Sequence, residues 1–276
     1  MGILSFISKL RQIGKQRPNI PRTFEENRLV RTILHRRSIR KFQEHDVKDE
    51  EMALVLEAGR LAPSTVNMQT WSFGAFTEKT WKETFGRSIP YGAKRAVMVL
   101  GDATRVRQAT DMFPNTPLVE YTVSAVNASL AAMNMTLMAE ALGIGSVMLS
   151  DTGKTGFFSA AYLKETLKLP PGVYPLMTVV FGYPRGRRPA MPPKFNLEDV
   201  TFTGTYKQTE GQKIMEWFSL MEAGYRASNP FSSFKAKLGY YRDHLSRAER
   251  ELEGMILETE ERGEVRGHAR TLVSKG

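Results

Sequence analysis

Cysteine is absent from all 276 residues. That excludes disulfides, thiolate metal sites, iron–sulfur clusters and cysteine nucleophiles, and it fits a reducing compartment. Histidine is scarce: His35, His45, His244 and His268 stand far apart, without ligand spacing, so no metal site is expected. No stretch approaches the roughly 18 consecutive apolar residues of a membrane span, so no transmembrane segment is expected. Acidic residues are nearly missing from one end. Between Met1 and Gln43 there are 11 Lys/Arg against 2 Asp/Glu, so most of the formal net charge of +10 sits there. A nucleic-acid surface spreads its cations along a groove and interleaves aromatics. That pattern is lacking, and no nucleic-acid partner is expected.

What remains is ordinary globular composition, 41% hydrophobic and 25% charged, sufficient for one large domain with appendages. The opening "MGILSFISKLRQIGKQR" lacks the unbroken apolar core of a signal peptide, because Lys9 and Arg11 interrupt it. It also misses the myristoylation pattern, with Phe6 where a hydroxyl residue belongs. A cytoplasmic location is expected. Ile3, Phe6, Ile7, Leu10 and Ile13 share one helical face, which either docks on a partner subunit or lies on a membrane surface.

Residues 27–37 have helical spacing. Residues 49–64 form a clearer helix, with Met52, Val55, Leu56 and Gly59 in one stripe, an acidic first turn and Pro63 as the stop. "WSFGAF" (71–76) and "AVMVLGD" (96–102) read as strands, the second buried on both faces. Residues 119–145 give the longest helix, with Val126, Leu130, Met133, Leu137 and Ala141 as its stripe and Gly143 as its cap. A strand at "SVMLS", a helix over 155–169 and a strand over 173–184 follow. Met133, Met135, Met138 and Met148 read as core. Strands interspersed with helices imply a layered mixed architecture. The boundaries expected are a basic amphipathic arm (1–27), a central domain (28–204) and a helical extension (205–276).

Three stretches could carry chemistry. "RRSIRKF" (36–42) puts Arg36, Arg37, Arg40 and Lys41 around Ser38, Ile39 and Phe42. In an extended chain Arg36, Ser38 and Arg40 face one side, and two guanidinium forks flanking a hydroxyl suit a phosphate. The alternative is a solvated basic turn. "LAPSTVNMQTW" (61–71) offers Ser64, Thr65, Asn67 and Gln69 just past a helix, either a heteroaromatic contact or a plain turn. "ALGIGSVMLSDTG" (141–153) has glycines that close a helix and open a strand, the reverse of a dinucleotide fingerprint. They read as cap and packing, while the strand end at Leu149 and Ser150 is where ligands gather.

In this order, "RRSIRKF", "APSTVNMQTW", "EALGIGS" and "LPPGVYPLMTVVFGYP" resemble the FMN-dependent nitroreductase family over about residues 28–200. The resemblance implies an α+β fold, a mixed sheet flanked by helices, assembled as an intertwined homodimer with FMN at the subunit interfaces. It implies that Arg36, Ser38 and Arg40, with Arg37 in the same stretch, hold the phosphate and ribityl chain. It implies that Pro63, Ser64 and Thr65, with Asn67, reach the flavin from the partner subunit, and that the backbone at Leu149 and Ser150 approaches the ring. Lys194 falls where the family usually has a phosphate-binding arginine; the charge stays but the fork is lost, so Arg187 or Arg188 is left to compensate. The implied activity is reduction of nitroaromatics, quinones or similar small acceptors by NADH or NADPH, in a two-step hydride exchange through the flavin with no catalytic side chain. The competing readings are another flavoenzyme of the same fold (a dehalogenase or dehydrogenase) and a basic module that docks on nucleic acid or lipid.

Overall fold

The structure, a computed structural model, describes residues 2–114 and 116–273, with side chains through residue 257. The helices are α1 (Ile3–Lys15), α2 (Arg28–His35), α3 (Asp49–Arg60), α4 (Glu78–Phe85), α5 (Thr104–Ala109), α6 (Pro117–Ala141), α7 (Ala160–Leu167), α8 (Leu197–Val200), α9 (Gly211–Ser228) and α10 (Phe234–Val273). The strands are β1 (Trp71–Thr77), β2 (Arg95–Asp102), β3 (Gly145–Leu149) and β4 (Val173–Gly182). They fall into two compact units. The larger holds Glu26–Arg187 and the chain from His244 onward; the smaller holds the chain through Glu25 and Arg188–Asp243.

In the larger unit the sheet order is β1-β2-β4-β3, with every neighbouring pair antiparallel. An isolated parallel bridge from Ser38 to Ser146 adds the mixed character at the β3 edge. β2 and β4 are central and, apart from Arg95 and Met177 at half-burial, buried along their length. This matches their unbroken apolar sequence. One face of the sheet packs on α3 and α6 through Val55, Ala128, Ala131, Ala132 and Met135, joined by Met255 and Ile256 of α10. The other face packs on α4 and α7 through Trp81, Phe85 and Leu163. The result is an α+β sheet flanked by helices.

α6 corrects one expectation. Its buried line is Glu120, Ser124, Asn127, Ala131 and Ala139, while Val126 (52% exposed) and Leu130 (41%) face outward and Met133 and Met148 are exposed too. The helix is apolar on all sides, so periodicity could not choose a face. The alanine side won because small residues let the helix approach the sheet closely. α6 ends in a Schellman motif, as Gly143 implied. Gly143 has φ +77°, its N–H donates to Glu140 O (3.1 Å), and Ile144 N–H donates to Ala139 O (2.8 Å). α7 starts later than its pattern suggested, because residues 157–159 form a 3₁₀ turn first.

In the smaller unit α1 packs on α9. Trp217 Nε1 donates to Pro193 O (3.3 Å) and its ring stacks on Phe195 at 4.7 Å. Lys213 pairs with Asp199 at 2.7 Å, which holds the Asp199 carboxyl below its ordinary range.

Candidate functional site

The basic stretch lies as an extra edge segment beside β3 and β4. Ile39 N–H donates to Ser146 O (2.9 Å), Gln43 N–H to Tyr183 O (2.9 Å) and Arg185 N–H to Lys41 O (2.9 Å). Ile39 and Phe42 are buried, as anchors should be. Their seats are two glycines that face each other across the strands, Gly145 and Gly182. A β-carbon on Gly145 would come within 3.0 Å of Ile39, and one on Gly182 within 2.8 Å of Phe42 Cδ1. A side chain at either position would crowd the segment that lies against the sheet.

The side chains on the opposite side are presented outward. Arg36 and Ser38 are half-buried and Arg40 is exposed, with its guanidinium 5.9 Å from the Tyr91 ring centroid. Among the described residues neither Arg36 nor Arg40 meets a carboxylate, whereas Arg95, Lys94 and Arg107 all do. Arg37 turns back instead, and donates to Leu34 O (3.0 Å) and Arg36 O (2.8 Å) at the end of α2. Three outward donors on an anchored strand, two of them cationic and unneutralised, fit a phosphate monoester.

The support behind the strand is ionic. Tyr183 donates its hydroxyl to Glu51 on α3, and that carboxylate pushes the phenol up to about 12. His45 stacks on Tyr183 at 4.4 Å, and Arg95 ties Asp46 and Asp49 at 2.8 Å each.

The loop after α3 lies at the other edge. It runs into β1, and β1 is separated from β3 by two strands. At the usual strand spacing the two edges stand about 14 Å apart. Pro63, Thr65 and Asn67 are exposed, and Ser64 is half-buried. The hydroxyls sequence reasoning assigned to a ligand are used within the protein. Ser64 Oγ accepts from Gln69 N–H (3.0 Å), and Thr65 donates through N–H (3.1 Å) and Oγ1 (3.2 Å) to Asn127 Oδ1. Val66, Asn67 and Gln69 all have positive φ, at +48°, +56° and +50°. Three non-glycine residues in that region within four positions store strain that the surroundings must hold. Asn127 does much of the holding, since its Nδ2 also donates to buried Thr70 (2.8 Å), and Arg105 donates to Trp71 O and to Gln69 O (3.4 Å). Sequence reasoning missed Asn127. Its signal was a lone amide in the apolar run "SAVNASLAA".

Leu149 is buried, so only its backbone is available, and Ser150 is half-buried in a tight turn where its carbonyl accepts from Phe158 N–H (3.3 Å). They lie three to four residues along β3 from Ser146, about 10–13 Å from the bridge to Ser38. Near the sheet, buried Glu120 pairs with Arg107 at 2.5 Å; burial pushes its carboxyl up, opposed by Arg107 and Tyr174. Lys194 is exposed in the smaller unit, between the Pro193 and Phe195 contacts to Trp217. Among the described residues no cluster of His, Asp or Glu could hold a metal, and no helix is long and apolar enough to cross a membrane.

Comparison with known proteins gives a single direction. The model of the family described as "Nitroreductase family" matches residues 33–183, more than half of the chain. The chain is 28% identical over 210 residues to the NADPH-flavin oxidoreductase of Vibrio harveyi, covering 74% of this chain and 85% of that protein. It is 28% identical over 191 residues to the FMN reductase [NAD(P)H] of Bacillus subtilis, covering 65% and 75%. Among solved structures, B. megaterium NfrA2 superposes with a TM-score of 0.70 at 21% identity, covering 84% of this chain and 97% of that one, which speaks to the fold. With the family model spanning the basic strand, the α3–β1 loop and the whole sheet, the chain belongs to the nitroreductase family.

Proposed function

We propose that this chain, an NAD(P)H-dependent flavin oxidoreductase of the nitroreductase family, holds FMN with Arg36, Ser38 and Arg40 on its phosphate and reduces small electron-poor acceptors of the nitroaromatic or quinone class. The observation that carries the reading is the pair of unneutralised guanidiniums flanking Ser38 on a strand seated in the Gly145–Gly182 slot. The chemistry a bound flavin supplies is two-electron transfer from NADH or NADPH to such an acceptor. The protein's part is position and electrostatics. Arg36 and Arg40 neutralise the phosphate, Ser38 donates to it, and the backbone at Leu149 and Ser150 borders the ring.

The α3–β1 loop, with Pro63, Ser64, Thr65 and Asn67, sits at the far edge from Arg36, so one chain presents two halves of a site. A two-fold pair in which each copy's loop closes the other's phosphate end completes both. The outward Val126, Leu130 and Met133 of α6 supply apolar surface for such a homodimer.

The experiment is a titration of FMN into Arg36→Ala/Arg40→Ala. Two charge-assisted contacts at about 1.5–3 kcal/mol each predict a loss of affinity of about 100-fold or more. The apo-protein should melt as the unaltered chain does, because neither arginine is in an ion pair among the described residues. Equal losses in binding and melting would refute the assignment. Steady-state turnover with NADH, NADPH and a panel of nitroaromatic and quinone acceptors then reads donor and acceptor class.

A further inference from the structure

Among the described residues α1 docks on α9 along one flank. Phe6 lies 5.5 Å under the Arg226 guanidinium, and Ile13 Cδ1 stands 3.5 Å from where Gly224 would carry a β-carbon. Phe6, Leu10 and Ile13 are half-buried. At about 100° per residue these three cover an arc of about 60°. The next arc holds Ile3, Ile7, Arg11, Leu4 and Lys15. Ile3 is 79%, Leu4 85% and Ile7 40% exposed. The apolar members occupy the first turns of this face and the cations the last. Neither Arg11 nor Lys15 meets a carboxylate among the described residues, and no acidic residue precedes Glu25. With 13 residues, and Pro18 and Pro21 beyond its end, the helix is too short to span a bilayer.

We propose that this face of α1 seats the protein on an anionic membrane surface, with Ile3, Leu4 and Ile7 entering the boundary below the headgroups and Arg11 and Lys15 meeting lipid phosphates. A nucleic acid would satisfy the cations and leave three large aliphatic side chains in water. An apolar protein groove would cover the aliphatics and leave the cations unmatched. An acidic bilayer satisfies both along one helix. The inference does not depend on the flavin.

The test is co-flotation of the full chain with phosphatidylcholine vesicles containing phosphatidylserine, against vesicles of phosphatidylcholine alone. The unaltered chain should float with the anionic vesicles, stay behind with the neutral ones, and be released as salt is raised. Ile3→Ser/Leu4→Ser/Ile7→Ser and Arg11→Gln/Lys15→Gln should each lower partitioning about tenfold or more. All five positions are exposed, so both variants should melt with the unaltered chain, and the lipid-charge comparison decides without them. Absence of flotation, equal flotation with neutral vesicles, or a variant that floats undiminished would overturn the proposal. So would binding of a duplex oligonucleotide that the aliphatic substitutions leave intact, since the face would then be a general polyanion surface.

Discussion

Replacing Gly182 by alanine tests whether the strand bearing Arg36 and Arg40 is positioned by the glycine slot. The added β-carbon would stand 2.8 Å from Phe42 Cδ1, 3.0 Å from Cγ and 3.1 Å from Cβ. Ordinary contact begins at 3.4 Å, so the ring root must retreat by 0.6 Å. The atoms involved belong to the stiff inner part of the side chain, and Phe42 is buried, so it cannot swing away. Overpacking of this kind costs about 1–3 kcal/mol of stability. The retreat is transmitted along the backbone to Arg40, two residues away. Spoiling one charge-assisted contact removes about 1.5–3 kcal/mol of binding, which is about 10- to 150-fold in Kd. The assay is quenching of FMN fluorescence on titration with protein, alongside thermal melting. Gly254→Ala is the control, because nothing lies within 4 Å of its added methyl, and it should leave FMN affinity unchanged. A Gly182→Ala protein that melts lower yet binds FMN as tightly as the unaltered chain would refute the positioning argument.

Two further outcomes follow from named contacts. Asn127→Ala removes the acceptor of two Thr65 hydrogen bonds and the donor to buried Thr70, so it should lower stability by about 1–3 kcal/mol. Proteolysis within residues 63–69 should speed up in that variant, while an unchanged cleavage rate would show that the loop is held elsewhere. Tyr183 is held neutral by Glu51, with its pKa raised from 10 to about 12, so its contribution to stability is full below pH 10 and is lost as pH rises towards 12. The difference in melting between the unaltered chain and Tyr183→Phe should therefore be constant at neutral pH and shrink across that alkaline window; a difference independent of pH up to 12 would contradict the bond.

The basic strand was legible because its information is local. Alternation puts Ile39 opposite Ser38 and Arg40, and burial of Ile39 and Phe42 follows from their chemistry. The seat beneath them was not legible, since Gly145 and Gly182 become neighbours only when β3 pairs with β4. The same holds for Asn127, whose partners are 57 and 62 residues away in sequence. The α3–β1 loop was legible as a polar turn, but the internal bonds of its hydroxyls to Gln69 and to Asn127 of α6 were not. The face of α6 was misread because a helix apolar all round carries no periodic signal, and only the close approach of its alanines to the sheet selects a side. Edge order, β1 against β3, is a topological fact no single segment contains. It sets the α3–β1 loop and the basic strand at opposite edges of the sheet.

In the proposed assembly FMN completes a site built from two copies of the chain. Native mass spectrometry of the FMN-reconstituted protein reads this directly. The expected species is two chains carrying two FMN molecules. Flavin retained by a single chain, or a pair that carries none, would contradict it.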